Sequence, residues 1–240
     1  MSGAAGLQAP PGPAVVVSAA LLPSSLEVRA AGHALRMRAD HSVWFQQRAT
    51  LFVADVHLGK DVRFRQLGVP VPQGPTVDTL ARLASLCSTL SARRLVVLGD
   101  LLHARGSATA ALGRRWLEWR ESAPHLEVVL VRGNHDRQSG DPPPDWKVQV
   151  VPEGEPMDGL SLHHEPPSVA RASGFALAGH VHPGVRLSGR AGDRLRLPCF
   201  IHGPTRLVLP AFGAFTGLHL LQPGPGERRF AVCEGRLAAV

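Results

Sequence analysis

Three apolar runs between residues 51 and 131 alternate with two stretches of helical periodicity. The runs have the length typical of buried strands and lie at 51–54, 94–98 and 127–131. Between them, apolar residues recur at helical spacing over 76–90, with Thr76 as the predicted N-cap, and over 109–122, which Pro124 ends. This alternation predicts right-handed crossovers and a largely parallel central sheet.

Shorter apolar segments lie on both sides of this pattern. Segments 26–29 and 34–38 flank a turn at Gly32 and predict a hairpin, and 43–45 predicts a further short strand that borders the main sheet. Later in the chain, short segments separated by Gly and Pro predict a second sheet packed on the first. They are 148–151, 160–163, 185–187, 195–197 and 207–209.

The remaining stretches show no clear period. Residues 60–74 contain the break Pro70-Val71-Pro72 and predict a loop with a short helical turn, which could cover a site at the strand ends. The beginning of the chain is rich in small residues, Gly and Pro. We expect residues 1–25 to be a disordered or weakly ordered tail. Residues 26–240 are expected to form one domain.

Composition indicates a folded protein in a reducing compartment. Hydrophobic residues make up 44% of the 240 positions and charged residues 19%. Three widely separated cysteines, Cys87, Cys199 and Cys233, argue against a disulfide framework or a thiolate metal site. The apolar stretch 14–22 lacks the basic flank of a signal peptide and is too short to span a membrane. We therefore expect a cytoplasmic protein without membrane association.

The charge of the chain is basic, with a formal net charge of +7 and 26 Lys and Arg residues, of which only Lys60 and Lys147 are Lys. A guanidinium can grip phosphate oxygens in a bidentate manner. Arginine-rich composition can also reflect codon bias and simple solvation, so the charge gives only weak support for a nucleic-acid partner. Five arginines lie close in sequence to clusters of acids and histidines: Arg63, Arg65, Arg105, Arg132 and Arg137.

These acid and histidine clusters follow the apolar runs. They are Asp55-Val56-His57, Gly99-Asp100-Leu101-Leu102-His103, Gly133-Asn134-His135-Asp136 and Gly179-His180-Val181-His182. Strand ends are where open α/β sheets bind ligands, and an extended backbone would send Asp55 and His57 to one face. Oxygen and imidazole ligands without thiolate suit Mn²⁺, Fe²⁺ or Zn²⁺. Any single histidine could be an ordinary polar residue, but four clusters at strand ends favour a dinuclear metal site.

The ordered motif set resembles the calcineurin-like metallophosphoesterases. The resemblance implies an α/β fold, a two-sheet metallophosphoesterase sandwich flanked by helices. Further segments resemble the branch of ligase-associated DNA damage response endonucleases. They are 54–60, 99–105, His164-Glu165-Pro166, Leu197-Pro198-Cys199-Phe200 and 209–217. That branch implies a Mn²⁺-dependent phosphodiesterase that acts on DNA in repair and is associated with a DNA ligase and a helicase.

The resemblance also implies a ligand set for two divalent metal ions, with Mn²⁺ favoured and Fe²⁺ or Zn²⁺ as alternatives. One ion would be held by Asp55, His57 and His182, the other by Asn134, His164 and His180, with Asp100 as the bridge. A carboxylate suits a bridge because its two oxygens and negative charge offset the repulsion between cations. Family position favours His164 over the adjacent His163, which remains the alternative.

The same comparison implies the catalytic chemistry. His135 would protonate the leaving oxygen, Asp136 would orient His135, and a metal-activated hydroxide would attack in line. His103, Arg105 and Arg137 are the predicted substrate contacts. Two alternatives stay open at this point. One is a metallophosphoesterase that acts on a nucleotide or a lipid-linked pyrophosphate, and the other is a metal-stabilised binding module without turnover.

Overall fold

The computed structural model describes residues 23–72, 74–168, 174–188, 194–214 and 216–240. The predicted N-terminal tail and the apolar stretch 14–22 therefore lie almost wholly outside the described residues. In the part of the chain that is described, no helix is both long and apolar enough to span a membrane.

The first sheet has seven strands within the described residues, in the order β1 to β7. They are β1 (Ser25–Ala30), β2 (His33–Arg38), β3 (Val43–Phe45), β4 (Thr50–Ala54), β5 (Arg94–Leu98), β6 (Glu127–Val131) and β7 (Val148–Val151). Strands β1 to β4 pair antiparallel and β4 to β7 pair parallel. The predicted hairpin and parallel core are thus confirmed, because each apolar run has the strand pairing that its position in the alternation requires.

The assignment of residues 148–151 to the second sheet was wrong. This segment is β7 and pairs parallel with β6, with Val131 opposite Val151. The chain between them folds into a six-residue helix and a short 3₁₀ helix, Pro144–Trp146, and these return it to the edge of the first sheet. Segment length and Gly or Pro boundaries do not encode which edge a short strand joins, so the sequence could not decide it.

The second sheet contains nine strands among the described residues. They are β8 (Glu155–Met157), β9 (Leu160–Leu162), β10 (Phe175–Ala178), β11 (Pro183–Ser188), β12 (Arg194–His202), β13 (Arg206–Val208), β14 (His219–Leu220), β15 (Arg228–Cys233) and β16 (Arg236–Ala239). The long strand β12 pairs with β11 through its first half and with β13 and β15 through its second half. The second sheet is thus mixed and confirms the predicted two-sheet α/β sandwich.

Four helices complete the described fold: α1 (Lys60–Gln66), α2 (Pro75–Thr89), α3 (Ala110–Ser122) and α4 (Asn134–Ser139). Helix α1 occupies the first seven residues of segment 60–74, for which a loop with a short helical turn was predicted. Thr76 is not the N-cap of α2: Gly74 takes that position, and Pro75 occupies the first turn, where its missing N–H costs nothing. The Thr76 hydroxyl instead donates to Asp61 and accepts from the Gly59 amide. Thr109 caps α3 by accepting from the Leu112 amide at 3.2 Å.

The central strands are apolar on both faces because each face covers a separate core. Phe52, Val96 and Val129 face the core between the two sheets. Their strand neighbours Leu51 and Val97 face the core beneath α2 and α3. Successive side chains on a strand alternate in direction, so a strand covered on both sides reads as a continuous apolar run.

Tryptophans anchor α3 to the first sheet. The buried ring of Trp116 stacks on Trp146, with centroids 4.6 Å apart, and packs edge-on against Trp119 at 5.0 Å. The Trp116 indole N–H also donates to the carbonyl of Trp146 at 3.1 Å. This contact couples the helix to the segment that leads into β7.

We predict that Trp116→Ala lowers the free energy of unfolding by about 3–5 kcal/mol, because it removes a fully buried ring and leaves a cavity. The measurement is urea denaturation followed by circular dichroism. Glu118→Ala, an exposed position on the same helix, is the control and should change stability by less than about 0.5 kcal/mol. Equal effects of the two substitutions would contradict the anchoring role.

Candidate metal centre

The polar clusters meet where strands of both sheets end. Asp55, Asp100 and Asn134 follow β4, β5 and β6, which are parallel neighbours and so end at one edge of the first sheet. Two backbone hydrogen bonds join the first two loops, from the Asp55 amide to Gly99 at 3.2 Å and from the His57 amide to Asp100 at 2.8 Å. From the second sheet, His164 follows β9, and the His180 cluster follows β10.

The backbone of these loops is unusual. Five of the predicted metal ligands have positive φ angles, namely Asp55 at 52°, His57 at 50°, Asp100 at 55°, His180 at 69° and His182 at 43°. The left-handed region costs a side-chain-bearing residue about 1–3 kcal/mol. The expectation that an extended backbone aligns Asp55 and His57 was therefore wrong. Tight turns bring these side chains together, and such strain is concentrated at functional sites.

One group of ligand atoms is built from Asp55, His57 and His182. The His57 and His182 Nε2 atoms are 3.4 Å apart, and His182 Nε2 is 3.6 Å from Asp55 Oδ1. Asp100 Oδ2 lies 3.9 Å from His57 Nε2. These atoms are close enough to bind one cation together, and Asp55 and His57 are buried.

A second group adjoins the other oxygen of Asp100. His164 Nε2 lies 3.5 Å from Asp100 Oδ1, 2.7 Å from Asn134 Oδ1 and 3.0 Å from His180 Nδ1. The structure thus brings His164, and not His163, to the centre, because the side chain of His163 bonds to the Ser161 hydroxyl at 2.8 Å. Asp100 lies between both groups with one oxygen towards each.

The hydrogen-bonding pattern fits bound cations. His164 Nδ1 contacts the carbonyl oxygen of Leu98 at 3.1 Å, and since a carbonyl only accepts, this nitrogen carries the hydrogen. In the neutral form of the imidazole, which is the form that binds metal, Nε2 then presents a lone pair to the lone pairs of Asn134 Oδ1 and Asp100 Oδ1. Asp55 Oδ1 is buried without a hydrogen-bond partner. Acceptors that face one another with no donor between them repel unless a cation lies among them, so these residues fit two divalent metal ions.

Close packing leaves no room for variation around this centre. A Cβ atom on Gly99 would lie 2.0 Å from His164 Nδ1, and the φ of Gly99 is +79°. Only glycine permits both the turn after β5 and the approach of the imidazole. The glycine that precedes Asp100 in the sequence motif is therefore a steric requirement of the site.

Burial determines the charge of the side chains at the centre. It lowers the pKa of His57 far below the usual value, and Lys60 and the neighbouring histidines add to this effect. Burial lowers the pKa of His103 to about 4, with a further contribution from Lys60. Burial also raises the pKa of Asp100 to about 6, and the carboxylate of Asp55 acts in the same direction. His57 and His103 are thus neutral at pH 7, and neutral imidazole is the form that binds metal.

His135 lies at the open side of the centre. Its side chain is 33% exposed, and its Nε2 is 4.0 Å from Asp100 Oδ2. Its Nδ1 donates to the carbonyl of His103 at 2.7 Å, which directs Nε2 towards the centre. The ring of His103 stacks on that of His135, with centroids 5.1 Å apart, and Phe64 of α1 packs edge-on against His103 at 6.1 Å. His103 therefore supports His135 and forms part of the same wall.

Asp136 has a different contact from the predicted one. Its carboxylate accepts from the backbone amides of Asp100 at 2.7 Å, Gly133 at 2.9 Å and Leu102 at 3.3 Å. The His135 ring donates to the carbonyl of His103, and the His135 amide donates to the Asp100 carboxylate. Asp136 thus orients the loops after β5 and β6 rather than the imidazole of His135, because it is buried beneath them.

The two predicted arginine contacts differ in their surroundings. Arg105 is exposed on the loop after His103 and has no ion-pair partner within the described ranges. Arg137 is exposed on α4 and donates to Glu153 at 3.1 Å. Arg105 is therefore free to meet an anion, whereas Arg137 would first have to leave its carboxylate.

The sequence did not reveal that segment 212–213 supports the loop after β4, which carries Asp55. The amides of Phe212 and Gly213 donate to Ala54 at 2.8 Å and to Asp55 at 3.0 Å. Arg82 of α2 donates to the Phe212 carbonyl, and its guanidinium lies 3.9 Å from the centroid of the Phe212 ring. Segment 209–217 was noted only for its resemblance to relatives, and a single arginine on a helix gave no signal of its own.

Known proteins that are similar to this chain include phosphoesterases and a nuclease. The calcineurin-like phosphoesterase family matches residues 49–174. Among solved structures, the nuclease MPE of Pseudomonas putida is 38% identical, with a TM-score of 0.77, and the match covers 90% of this chain and 100% of that one. The phosphoesterase Yfce from E. coli is 17% identical with a TM-score of 0.38, over 80% of this chain and 97% of that one.

The comparison with curated proteins gave no significant match. The family match nevertheless includes the loops that carry Asp55, Asp100, Asn134 and His164, and the similarity to the nuclease extends along most of the chain. The predicted resemblance is confirmed: the chain belongs to the calcineurin-like phosphoesterase family.

Proposed function

We propose that the protein is a dinuclear metal-dependent phosphodiesterase that cleaves nucleic acid, acting as a DNA endonuclease in repair. The observation that carries this proposal is the position of Asp100, with one oxygen towards each of two groups of acceptors. The 38% identity to a structure described as a nuclease favours nucleic acid over other phosphate esters. Manganese, a partner ligase and helicase, and a cytoplasmic location follow only from the sequence resemblance and composition, and we propose them on that ground.

Each side chain has a role in this proposal. Asp55, His57 and His182 would hold one cation, Asn134, His164 and His180 the other, and Asp100 both. When bound, such cations bind phosphate oxygens and lower the pKa of a water nucleophile. His135 faces the same opening through Nε2, and its protonated form can donate to the leaving oxygen. Asp136 holds the amides of both loops, so the ligands are aligned before the substrate binds.

The direct test is an assay of the purified protein with Mn²⁺, Mg²⁺ or Zn²⁺ on a generic phosphodiester, on linear and circular single-stranded DNA, and on a UDP-linked lipid. We expect metal-dependent cleavage of the generic diester and conversion of the circle to a linear product, since only an internal cut opens a circle. Cleavage of the lipid alone would contradict the nuclease assignment. Absence of hydrolysis with every metal would contradict the phosphodiesterase.

We predict that His135→Ala reduces kcat on single-stranded DNA by about 100-fold or more while the protein retains its metal, because the sugar oxygen that leaves loses its proton donor and every proposed metal ligand remains. Metal content is measured by inductively coupled plasma mass spectrometry. His125→Ala removes an exposed histidine after α3 and should leave both quantities unchanged. Full activity of His135→Ala would exclude this residue from the reaction.

We predict that Asp100→Asn loses bound metal as well as turnover, whereas His135→Ala loses turnover alone. An amide has one oxygen and no charge, so it cannot bridge two cations as the carboxylate does. Bound metal is measured as for His135→Ala, in the same preparation buffer. Retention of two metal ions per chain by Asp100→Asn would show that Asp100 is not the bridge.

Stability of the metal-free protein should depend on pH in a defined direction. The lowered pKa values of His57, His103 and His180 mean that the unfolded chain binds protons that the folded chain rejects. Unfolding is therefore favoured as the pH falls below about 6.5. The raised pKa values of Asp100 and Asp136 act in the opposite direction at lower pH, but these two carboxylates oppose the three histidines together with His41 and His163, whose pKa values burial also lowers.

We expect the melting temperature in the presence of EDTA to fall by several degrees between about pH 7.5 and about pH 5.5. The measurement is differential scanning fluorimetry. His57→Gln should show a shallower fall, because glutamine does not titrate, and His125→Ala should match the wild type. A melting temperature that rises on acidification would contradict the neutral, buried state of these histidines.

A further inference from the structure

The hairpin formed by β11 and β12 carries like charges in direct opposition. In its antiparallel register, Arg186 pairs with Arg196, and Ser188 pairs with Arg194. Residues directly opposite each other lie on the same face, so three exposed arginines share one side of this hairpin. The other side is apolar and includes the buried Val185. Like charges in opposition destabilise a strand pair, so the fold itself gains nothing from this arrangement.

These arginines have no acidic partner in the described parts of the chain. The only side-chain hydrogen bond found for them there runs from Arg196 to the carbonyl of Leu218 at 3.3 Å. The five residues between the strands add one Arg and one Asp to the sequence and leave its charge balance unchanged. In the segment after β6, by contrast, Arg132 pairs with Asp141 at 2.6 Å and Arg137 pairs with Glu153 at 3.1 Å.

The hairpin begins at the metal centre. Strand β11 starts at Pro183, the residue after the predicted ligand His182. Arg196 reaches the carbonyl of Leu218, and the next residue, His219, stacks near His182, with ring centroids 6.5 Å apart. The Nδ1 of His219 also contacts the carbonyl of Val181 at 2.9 Å. These contacts connect the arginine-bearing strands to the segment that carries His182.

We propose that the arginine face of this hairpin, formed by Arg186, Arg194 and Arg196, binds the phosphate backbone of a nucleic-acid strand next to the phosphate that is cleaved. The inference rests on the proposed nuclease function and adds a binding surface to it. A polyanion supplies the counter-charge that the protein lacks here, and guanidinium groups bind phosphate oxygens without regard to base sequence. The hairpin thus binds additional phosphates of the substrate, and cleavage takes place at the metal centre.

The test compares Arg186→Gln/Arg196→Gln with a matched control, Arg29→Gln/Arg36→Gln. The control removes the same charge from exposed positions on the β1–β2 hairpin, where Arg36 faces Glu27 across the strands. The probe is a fluorescein-labelled single-stranded DNA of about 30 nucleotides, in EDTA so that it is not cut. Fluorescence polarisation gives Kd at several salt concentrations.

We expect the β11–β12 variant to raise Kd about tenfold at low salt and to reduce the slope of log Kd against log salt by about 1.4, two phosphate contacts on a single strand. The control should change neither quantity. Hydrolysis of bis(p-nitrophenyl) phosphate should stay at the wild-type rate, because this diester is too small to reach the hairpin. Arg186→Lys/Arg196→Lys keeps the charge and should restore most of the affinity.

The melting temperature distinguishes binding from a structural role. Removal of an opposed like-charge pair should leave it unchanged or higher, and a fall of several degrees would overturn the proposal. Equal loss of DNA affinity in the control variant would also overturn it. If the wild type cuts DNA and the hairpin variant binds and cuts it equally well, only the hairpin inference fails. If the wild type neither binds nor cuts DNA, the proposed function fails with it.

Discussion

The centre depends on the hydrogen bonds that the carboxylate of Asp136 accepts from backbone amides. This carboxylate is buried and accepts from three backbone amides, two in the loop after β5 and one in the loop after β6. The amide of His135 donates in turn to Asp100, so the two loops hold each other. A buried carboxylate without these donors would be costly, and amides without the carboxylate would be orphaned. The pair of strand ends therefore folds as one unit, and Asp100 and Asn134 stand at fixed positions within it.

The centre also contains local conformations and contacts that are energetically unfavourable. Left-handed backbone at five predicted ligands and acceptors that face one another both raise the free energy of the metal-free state. Packing from outside holds the loops in place, and the Arg82 contact to Phe212 beneath Asp55 is one such support. Cations that bind the converging acceptors would relieve the repulsion, so metal affinity and folding stability are linked at this site.

The sequence predicted the parts of this arrangement that follow from short-range patterns. Apolar runs located β4, β5 and β6, and the clusters after them marked the edge of the sheet where Asp55 and Asp100 lie. It could not predict contacts that depend on packing. Asp adopts the left-handed region more often than most residues, but no local motif requires that conformation at Asp55. Segment 148–151 joins the first sheet because of the path that the preceding chain takes. Arg82 and Asp136 make contacts with residues more than 30 positions away, which no local motif encodes.

The candidate metal ligands come from both sheets, so neither sheet alone provides the complete set. Asp55, Asp100 and Asn134 come from the first sheet, whereas His164 and the His180 cluster come from the second. The family match ends at residue 174, before two of the predicted ligands and before the Phe212 support. The apolar core between the sheets therefore sets the distance between ligands as well as the stability of the fold. Because the hairpin that carries Arg186 belongs to the same second sheet, the proposed substrate contact and the positions of the candidate metal ligands depend on one packing interface.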